Sequence, residues 1–500
     1  MRYMDKDNKI NKINQMKIED ILNIISIKNK IFVNEHEITK IEKDSRKVSN
    51  NDIFVATTET NIDGHLYINS AIENGAKTII CEKLPENIVE NVNYFVVENS
   101  SKALGFIASE YYQNPSKRLK LIGITGTNGK TTIASSLFNL VRLLGYKSGL
   151  FSTIKIKIEN QEFETPNTTP DQLVINHYLN EMVEAGCDFC FMEVSSHATV
   201  QNRISGLQFF GGVFTNITHD HLDFHKTFAE YIKAKQLFFN GLDKNAFALT
   251  NLDDKNGEVM LQGTKARKYS YSLKSMSDFK AKILENLFDG MLLNIDGEEV
   301  WTQFTGRFNA YNLLTVYAVM KLCNFEKTEI LVALSQLKPI TGRFETIKSN
   351  SGTLAIIDYA HTPDALKNVI ATINEIRGGC GNLITVVGCG GDRDKTKRPK
   401  MAKIAAEDSD KVILTSDNPR TENPEDIIND MENGLNPVQR KRTLRICNRA
   451  EAIRTAAMLA QKNDIILIAG KGHENYQEIN NVKHHFDDKE MIMECFNNNE

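Results

Sequence analysis

Gly123-Ile124-Thr125-Gly126-Thr127-Asn128-Gly129-Lys130-Thr131-Thr132 is the stretch that decides the fold. It follows an apolar run at 119–122, interrupted only by Lys120. It leads into a segment, 133–142, whose apolar residues recur at helical spacing. Strand, glycine turn and helix start is the geometry that holds a nucleotide phosphate. Glycines let backbone N–H groups approach phosphate oxygens, and the helix N-terminus adds partial positive charge. Lys130 adds a full charge, and Thr131 can offer its hydroxyl to Mg²⁺. The spacing is not the standard one, because Ile124 stands where a strict G-x-x-x-x-G-K-[ST] has its first glycine.

Outward from this loop the chain reads as α/β, with three domains. A polar N-terminal arm, 1–17, lacks the apolar stretch of a signal peptide. Short apolar strands near 53–56, 78–81 and 94–97 alternate with helical stretches, predicting a small α/β unit over 18–116. The polar, proline-containing 113–118 reads as a linker. The phosphate loop opens a central unit, 117–340, with a parallel sheet. Its further strands fall near 189–194, 212–216 and 246–251, with a β insertion over 279–301 and a helix over 309–323. A Rossmann-like unit, 341–500, has strands near 354–358, 383–388, 411–415 and 464–469, each ending in a polar or glycine-rich loop. Ligands are expected at such strand ends.

The 500 residues carry a net charge of −4 with acids and bases interspersed, which argues against a nucleic-acid footprint over the whole chain. No apolar run reaches the roughly 20 residues of a membrane span. The eight cysteines are scattered. Cys187 and Cys190 form a C-x-x-C, but they fall in a strand-like segment where residues three apart face opposite ways, so buried apolar cysteine is the preferred reading. A cytoplasmic enzyme with reduced cysteines is expected.

Several further motifs end strands. Met192-Glu193-Val194-Ser195-Ser196-His197 places a carboxylate beside the phosphate loop if the two strands share a sheet. Glu193 is then either a Mg²⁺ ligand or a loop cap. His219-Asp220-His221-Leu222-Asp223-Phe224-His225 suits a divalent ion beside phosphates, though some of its histidines serve the loop alone. Lys235, on an amphipathic helix, reads by composition as a surface lysine. In the last unit, Gly391-Asp392-Arg393-Asp394, Asp417-Asn418-Pro419-Arg420 and Gly470-Lys471-Gly472-His473-Glu474 converge if their strands share a sheet. Guanidinium forks bind carboxylates and the acids bind ammonium groups, so the pocket suits a zwitterion.

Taken together and in order, these motifs, with the Gly342-Arg343-Phe344-Glu345 and 358–364 segments, resemble the Mur ligase family of ATP-dependent amide-forming enzymes. The resemblance spans about 44–474 and is strongest to members that form the tripeptide of the peptidoglycan precursor. It implies an ATP-dependent acid–amino-acid ligase, expected as a monomer without nucleic-acid or membrane partners. It implies that Gly126, Thr127, Asn128, Gly129, Lys130, Thr131 and Thr132 bind ATP, with Asn309 and Arg343 on the adenine and ribose side. Thr131, Glu193, His221 and Lys235 would hold Mg²⁺, Lys235 as a CO₂-derived carbamate; Lys130, Glu193, His221 and Lys235 form the catalytic set. Ser45, Thr168, Thr169, Ser195 and Arg203 match positions for the substrate UDP-N-acetylmuramoyl-L-Ala-D-Glu. Arg393, Asp417, Asn418, Pro419, Arg420, Gly470 and Glu474 match the incoming amino acid's pocket. Arg420 points to meso-diaminopimelate, whose far end carries a carboxylate that lysine lacks. A lysine-adding ligase and a nucleotide-dependent switch protein are the alternatives. The chain departs from the family pattern at 57–62, which lacks a common glycine, and at Asn448, where aspartate is common.

Overall fold

The computed structural model of the protein describes residues 16–58, 62–165, 167–218, 220 and 222–498. Three main sheets follow one another along the chain. The first has five strands. Ile41–Glu42, Ile53–Val55, Thr78–Cys81 and Asn93–Val97 run parallel, and Ile27–Ile31 closes one edge antiparallel. Met16, at the end of the polar arm, is buried in this unit's core with Ile18 and Ile21. The expected linker is also built in: after Gln113 and Asn114 in left-handed conformations, Ser116 is buried and its hydroxyl accepts from the Gln208 amide at 3.0 Å.

The central sheet has eleven strands around Lys120–Thr125. Its neighbours Phe189–Glu193 and Gly211–Phe214 run parallel to it, and Glu193 lies in register with Ile124. Strand alternation separates two cores. Ile122, Ile124, Val213 and Leu249 pack against helices Lys130–Leu143 and Arg307–Leu322. Leu121, Cys190, Met192, Phe214 and Ala248 face helices Gln172–Glu184 and Phe228–Asn240. The 279–301 tract does not form a separate insertion. Phe279–Leu287 pairs parallel with Arg267–Ser272, and two antiparallel strands then extend the same sheet.

The third sheet has six strands, five of them parallel, with Glu345–Lys348 antiparallel at one edge. Leu354–Asp358, Ile465–Ala469, Leu383–Cys389 and Lys411–Ser416 lie side by side, and Ala469 is in register with both Asp358 and Val387. All their C-terminal loops therefore open at one edge, toward the central sheet. Capping sets the helix starts around this edge. The Thr362 hydroxyl accepts from the Ala365 amide ahead of Pro363, and Thr227 and Glu230 form a capping box for Phe228–Asn240.

Cys187 and Cys190 differ from expectation in one respect. Both are buried in the same core, because Cys187 precedes the strand instead of lying on it. Burial raises both thiols, Cys187 to about 12, which makes them inert as thiolates. Among the described residues no helix is long and apolar enough to cross a membrane.

Candidate functional site

A single cleft of about 1350 Å³ runs between the strand ends of the central and third sheets. At its centre is the phosphate loop. Gly126 and Gly129 have φ values of +151° and +89°. A Cβ on Gly126 would fall 1.9 Å from the Thr215 hydroxyl, so no other residue fits there. The loop is held from below: the Thr127 amide donates to the Asn216 carbonyl, the Asn128 amide to Asn216 Oδ1, and the Thr215 hydroxyl to the Asn128 carbonyl. These bonds occupy the amides of Thr127 and Asn128. The first-turn amides of Lys130–Leu143, which lack intrahelical partners by construction of any helix, are the donors left facing the cleft.

Two lysines meet at this loop. Lys130 Nζ donates to the carbonyls of Gly126 (2.9 Å) and Thr127 (2.8 Å), and Lys235 Nζ donates to the same Gly126 carbonyl at 2.9 Å. Lys235 is 1% exposed, contrary to its reading as a surface lysine. Helix Phe228–Asn240 presents Tyr231, Ala234 and Phe238 to the core, and Lys235 sits on that same stripe. Its apolar spacing was the sequence signal. Burial lowers both amines. For Lys235 the shift is large, and the charge of Lys130 adds to it. Asp220, absent from the expected set, lines the cleft and counters both charges, with Glu193 also acting on Lys130.

Glu193 is fully buried; its carboxylate accepts from the amide and hydroxyl of Thr153 at 2.8 and 3.1 Å. Four expected substrate residues gather around it. The Thr168 hydroxyl lies 3.1 Å from that of Thr153, which accepts from it, the Thr169 hydroxyl donates to the Glu193 carbonyl, and the Ser195 amide donates to the Thr169 hydroxyl. Arg203 Nη1 donates to the Thr169 carbonyl at 2.7 Å. Ser45 does not join them: it is buried in the first unit, away from the cleft lining. His221 lies outside the described residues. His225 serves the fold, its Nε2 2.8 Å from the Ser196 hydroxyl.

Arg343 lines the cleft, and its Nη2 reaches the Thr131 hydroxyl at 3.2 Å. Its guanidinium also stacks 4.5 Å over Tyr359. Asn309 is buried behind the cleft, where its Oδ1 accepts from Asn312. Asn312, Tyr311 and Asp253 line the cleft in its place, with the Tyr311 hydroxyl donating to Asp253 at 2.8 Å. Helical spacing from Asn309 was the available sign of Asn312. Asp364 reaches across to the loop and accepts from Asn128 at 3.0 Å.

The far end carries the charged loops of the third sheet. Asn418 Nδ2 donates to Glu474 at 2.7 Å, and Gly470 packs against Asp417, where a Cβ would fall 2.6 Å from Oδ2. Arg420 has a left-handed φ of +51°. Its Nη1 donates to the Gly391 carbonyl at 2.7 Å, and its Nε lies 3.3 Å from Glu478. The hairpin Tyr476–Ile479 and Val482–His485 straps this loop, exchanging backbone bonds with Arg420 through Glu478 and Asn480. Pro419 packs its carbonyl against Gly391. Arg393 stands at the exposed rim without an ion pair among the described residues. His473 is lowered to about 3, chiefly by burial, and is neutral at physiological pH.

Profiles of known domains match along nearly this whole length: the Mur ligase catalytic domain at 37–112, the Mur ligase middle domain at 124–320 and the Mur ligase glutamate ligase domain at 342–472. This chain belongs to the Mur ligase family. Among similar relatives, the UDP-N-acetylmuramoyl-L-alanyl-D-glutamate–2,6-diaminopimelate ligase of Phocaeicola vulgatus is 54% identical over 97% of this chain and 100% of its own. The ligase of the same name from Clostridium botulinum is 41% identical over 92% of this chain and 95% of its own. A solved structure of a ligase with this name superposes with a TM-score of 0.70 at 32% identity, covering 97% of this chain and 99% of that one. The MurF ligase of Thermotoga maritima in complex with ADP shares the fold, with a TM-score of 0.60 at 18% identity, over 92% of this chain and 97% of its own.

Mur ligases act on nucleotide phosphates, and the donors of this cleft fit Mg²⁺. Glu193 and Thr131 offer hard oxygen ligands within one cavity. No cluster of three or more His, Cys, Asp or Glu side chains forms a metal cage among the described residues. Mg²⁺ takes one or two protein oxygens and completes its shell with phosphates and waters.

Proposed function

We propose that this Mur ligase couples ATP hydrolysis to joining meso-diaminopimelate to the D-glutamate of UDP-N-acetylmuramoyl-L-Ala-D-Glu, in peptidoglycan precursor synthesis. The observation that carries this is the continuity of the cleft: phosphate loop, Thr169–Ser195–Arg203 cluster and Arg420 pocket open into one cavity. The glutamate carboxylate attacks the γ-phosphorus of ATP, giving an acyl phosphate and ADP. The amine of diaminopimelate attacks the acyl carbon, and phosphate leaves as the amide forms. The first-turn amides and Lys130 stabilise charge on the transferring phosphoryl group. Thr168, Thr169, Ser195 and Arg203 orient the UDP-linked substrate. Asp417, Asn418, Gly470 and Glu474 bind the amino acid's polar groups, and Arg420 binds its distal carboxylate. Glu193 and Thr131, with His221, would hold Mg²⁺, which would supply charge neutralisation for the phosphates.

Lys235 is assigned as a carbamate. Burial and the charge of Lys130 lower the basicity of this amine, which favours the neutral Nζ that attacks CO₂ and releases one proton. A ¹³C NMR carbamate signal is expected in protein equilibrated with ¹³C-bicarbonate and not in Lys235→Arg; equal spectra would remove the assignment. The division at 1–17, 18–116, 117–340 and 341–500, a monomeric state and a cytoplasmic location complete the proposal. The deciding experiment measures phosphate release with ATP, Mg²⁺ and the UDP-dipeptide. Turnover is expected with meso-diaminopimelate and not with L-lysine. Preference for lysine would refute the role of Arg420, and turnover without any amino acid would refute the ligase reading.

A further inference from the structure

Lys471 is the one side chain of the Gly470–Glu474 loop that neither lines the cleft nor has a part in the proposed reaction, yet it is fully buried. Its Nζ donates to Asn418 Oδ1 and Glu474 Oε2, each at 3.2 Å. Asn418 closes the triangle by donating to the same Glu474 oxygen at 2.7 Å. The Tyr476 ring lies 5.4 Å from the ammonium. The partners of this buried cation are therefore two residues of the amino-acid pocket and an aromatic face.

Glu474 needs such a neighbour. Its carboxyl is raised first by burial and next by the charge of Asp417; Lys471 and Asn418 oppose both. The other groups facing it are the Tyr359 hydroxyl, which donates to Oε1 at 3.3 Å, the Tyr476 phenol and the more distant Arg449 guanidinium. Arg449 is committed to Asp488 by a bidentate pair at 2.7 Å. Lys471 is thus the cation in direct contact with Glu474 among the described residues.

We infer that Lys471 is a positioning residue for substrate selection: by holding Glu474 and Asn418 from behind, it keeps the Glu474 carboxylate charged and aimed at the ammonium of the incoming amino acid. The inference rests on the amino-acid pocket proposed above. An ammonium recognised by a neutral acid would lose its charge-assisted bond, so Lys471 acts on affinity for the amino acid and leaves ATP untouched.

The test compares wild type with Glu474→Gln, Lys471→Met, Lys471→Arg and the double variant Lys471→Met/Glu474→Gln. KM for meso-diaminopimelate and for ATP are measured from acid to alkaline pH. Lys471→Met is expected to raise KM for diaminopimelate about tenfold or more at pH 7. It should also move the acid limb of that profile upward by about one to three pH units, the size of an opposite charge at contact distance. KM for ATP should stay constant, Lys471→Arg should restore part of the loss, and in the Glu474→Gln background Lys471→Met should add nothing. If Glu474→Gln leaves the amino acid's KM unchanged, the pocket assignment itself fails. If Glu474→Gln raises that KM while Lys471→Met neither raises it nor moves the acid limb, the inference about Lys471 fails alone. Should Lys471→Met not fold, the double variant decides: a KM well above that of Glu474→Gln would overturn the inference.

Discussion

The two ends of the cleft hold their cations in opposite ways. At the phosphate end, Lys130 donates to the carbonyls of Gly126 and Thr127, with no carboxylate in ion-pair contact among the described residues. At the amino-acid end, four buried or half-buried cations come already matched, and among the described residues only the exposed Arg393 of the proposed pocket does not. Arg398 pairs with Glu422 and Asp430, Arg449 with Asp488, Lys471 with Glu474 and Arg420 with Glu478. An unmatched cation is suited to a polyanion that brings its own negative charge. A matched array is suited to a zwitterion, which must exchange one set of pairs for another of equal net charge.

The most severe way to test this contrast is Lys130→Ala. Its loss is expected to lower kcat/KM by about 10²–10³-fold, as when one electrostatic donor to a transition state is removed. The melting temperature should not fall, because a desolvated cation without a matched acid is removed. A large loss of stability with activity preserved would show that Lys130 serves the fold. Arg420→Ala comes next. KM for meso-diaminopimelate should rise about 10–100-fold, corresponding to a charge-assisted hydrogen bond, while KM for ATP is unchanged. Equal effects on both substrates would dissolve the distinction between the ends.

The mildest test lies between them. Asp358 accepts from the Phe344 amide at 2.7 Å, and burial raises its carboxyl to about 6 against the pull of Arg343. The folded state therefore keeps a proton that the unfolded chain has released, and wild type loses stability as pH climbs from about 4 through 6. Asp358→Asn removes that slope. Its melting temperature should match wild type near pH 4 and exceed it by about 2–4 °C at pH 7. Parallel curves would mean that Asp358 is ionised in the fold throughout.

The phosphate end was readable because glycine turns, strand ends and helix starts are local. Gly126, Gly129 and Lys130 carry their geometry within a few residues. Glu193 required only that two strands share a sheet, and their register at Ile124 makes them neighbours. Composition misjudged Lys235, since frequency places lysines outside while helix phase places this one among Tyr231, Ala234 and Phe238. Asp253 was not legible, because its contact with Tyr311 depends on how helix Arg307–Leu322 crosses the sheet. Lys471 sat in a quoted motif, but its burial follows from the hairpin that closes over it, a long-range contact that motif spacing does not encode.

The left-handed backbone at Arg420 has a consequence for how this position can change. A branched cationic side chain at φ +51° is held there by the Glu478 and Asn480 backbone bonds against its own preference. Glycine or asparagine would relax the turn, so the substitutions that most favour folding at position 420 are those that would erase the recognition of a distal carboxylate proposed for Arg420. Foldability and fidelity pull in opposite directions at this one residue, and a screen for thermal robustness alone would drift toward a sturdier enzyme that no longer discriminates between its amino acids.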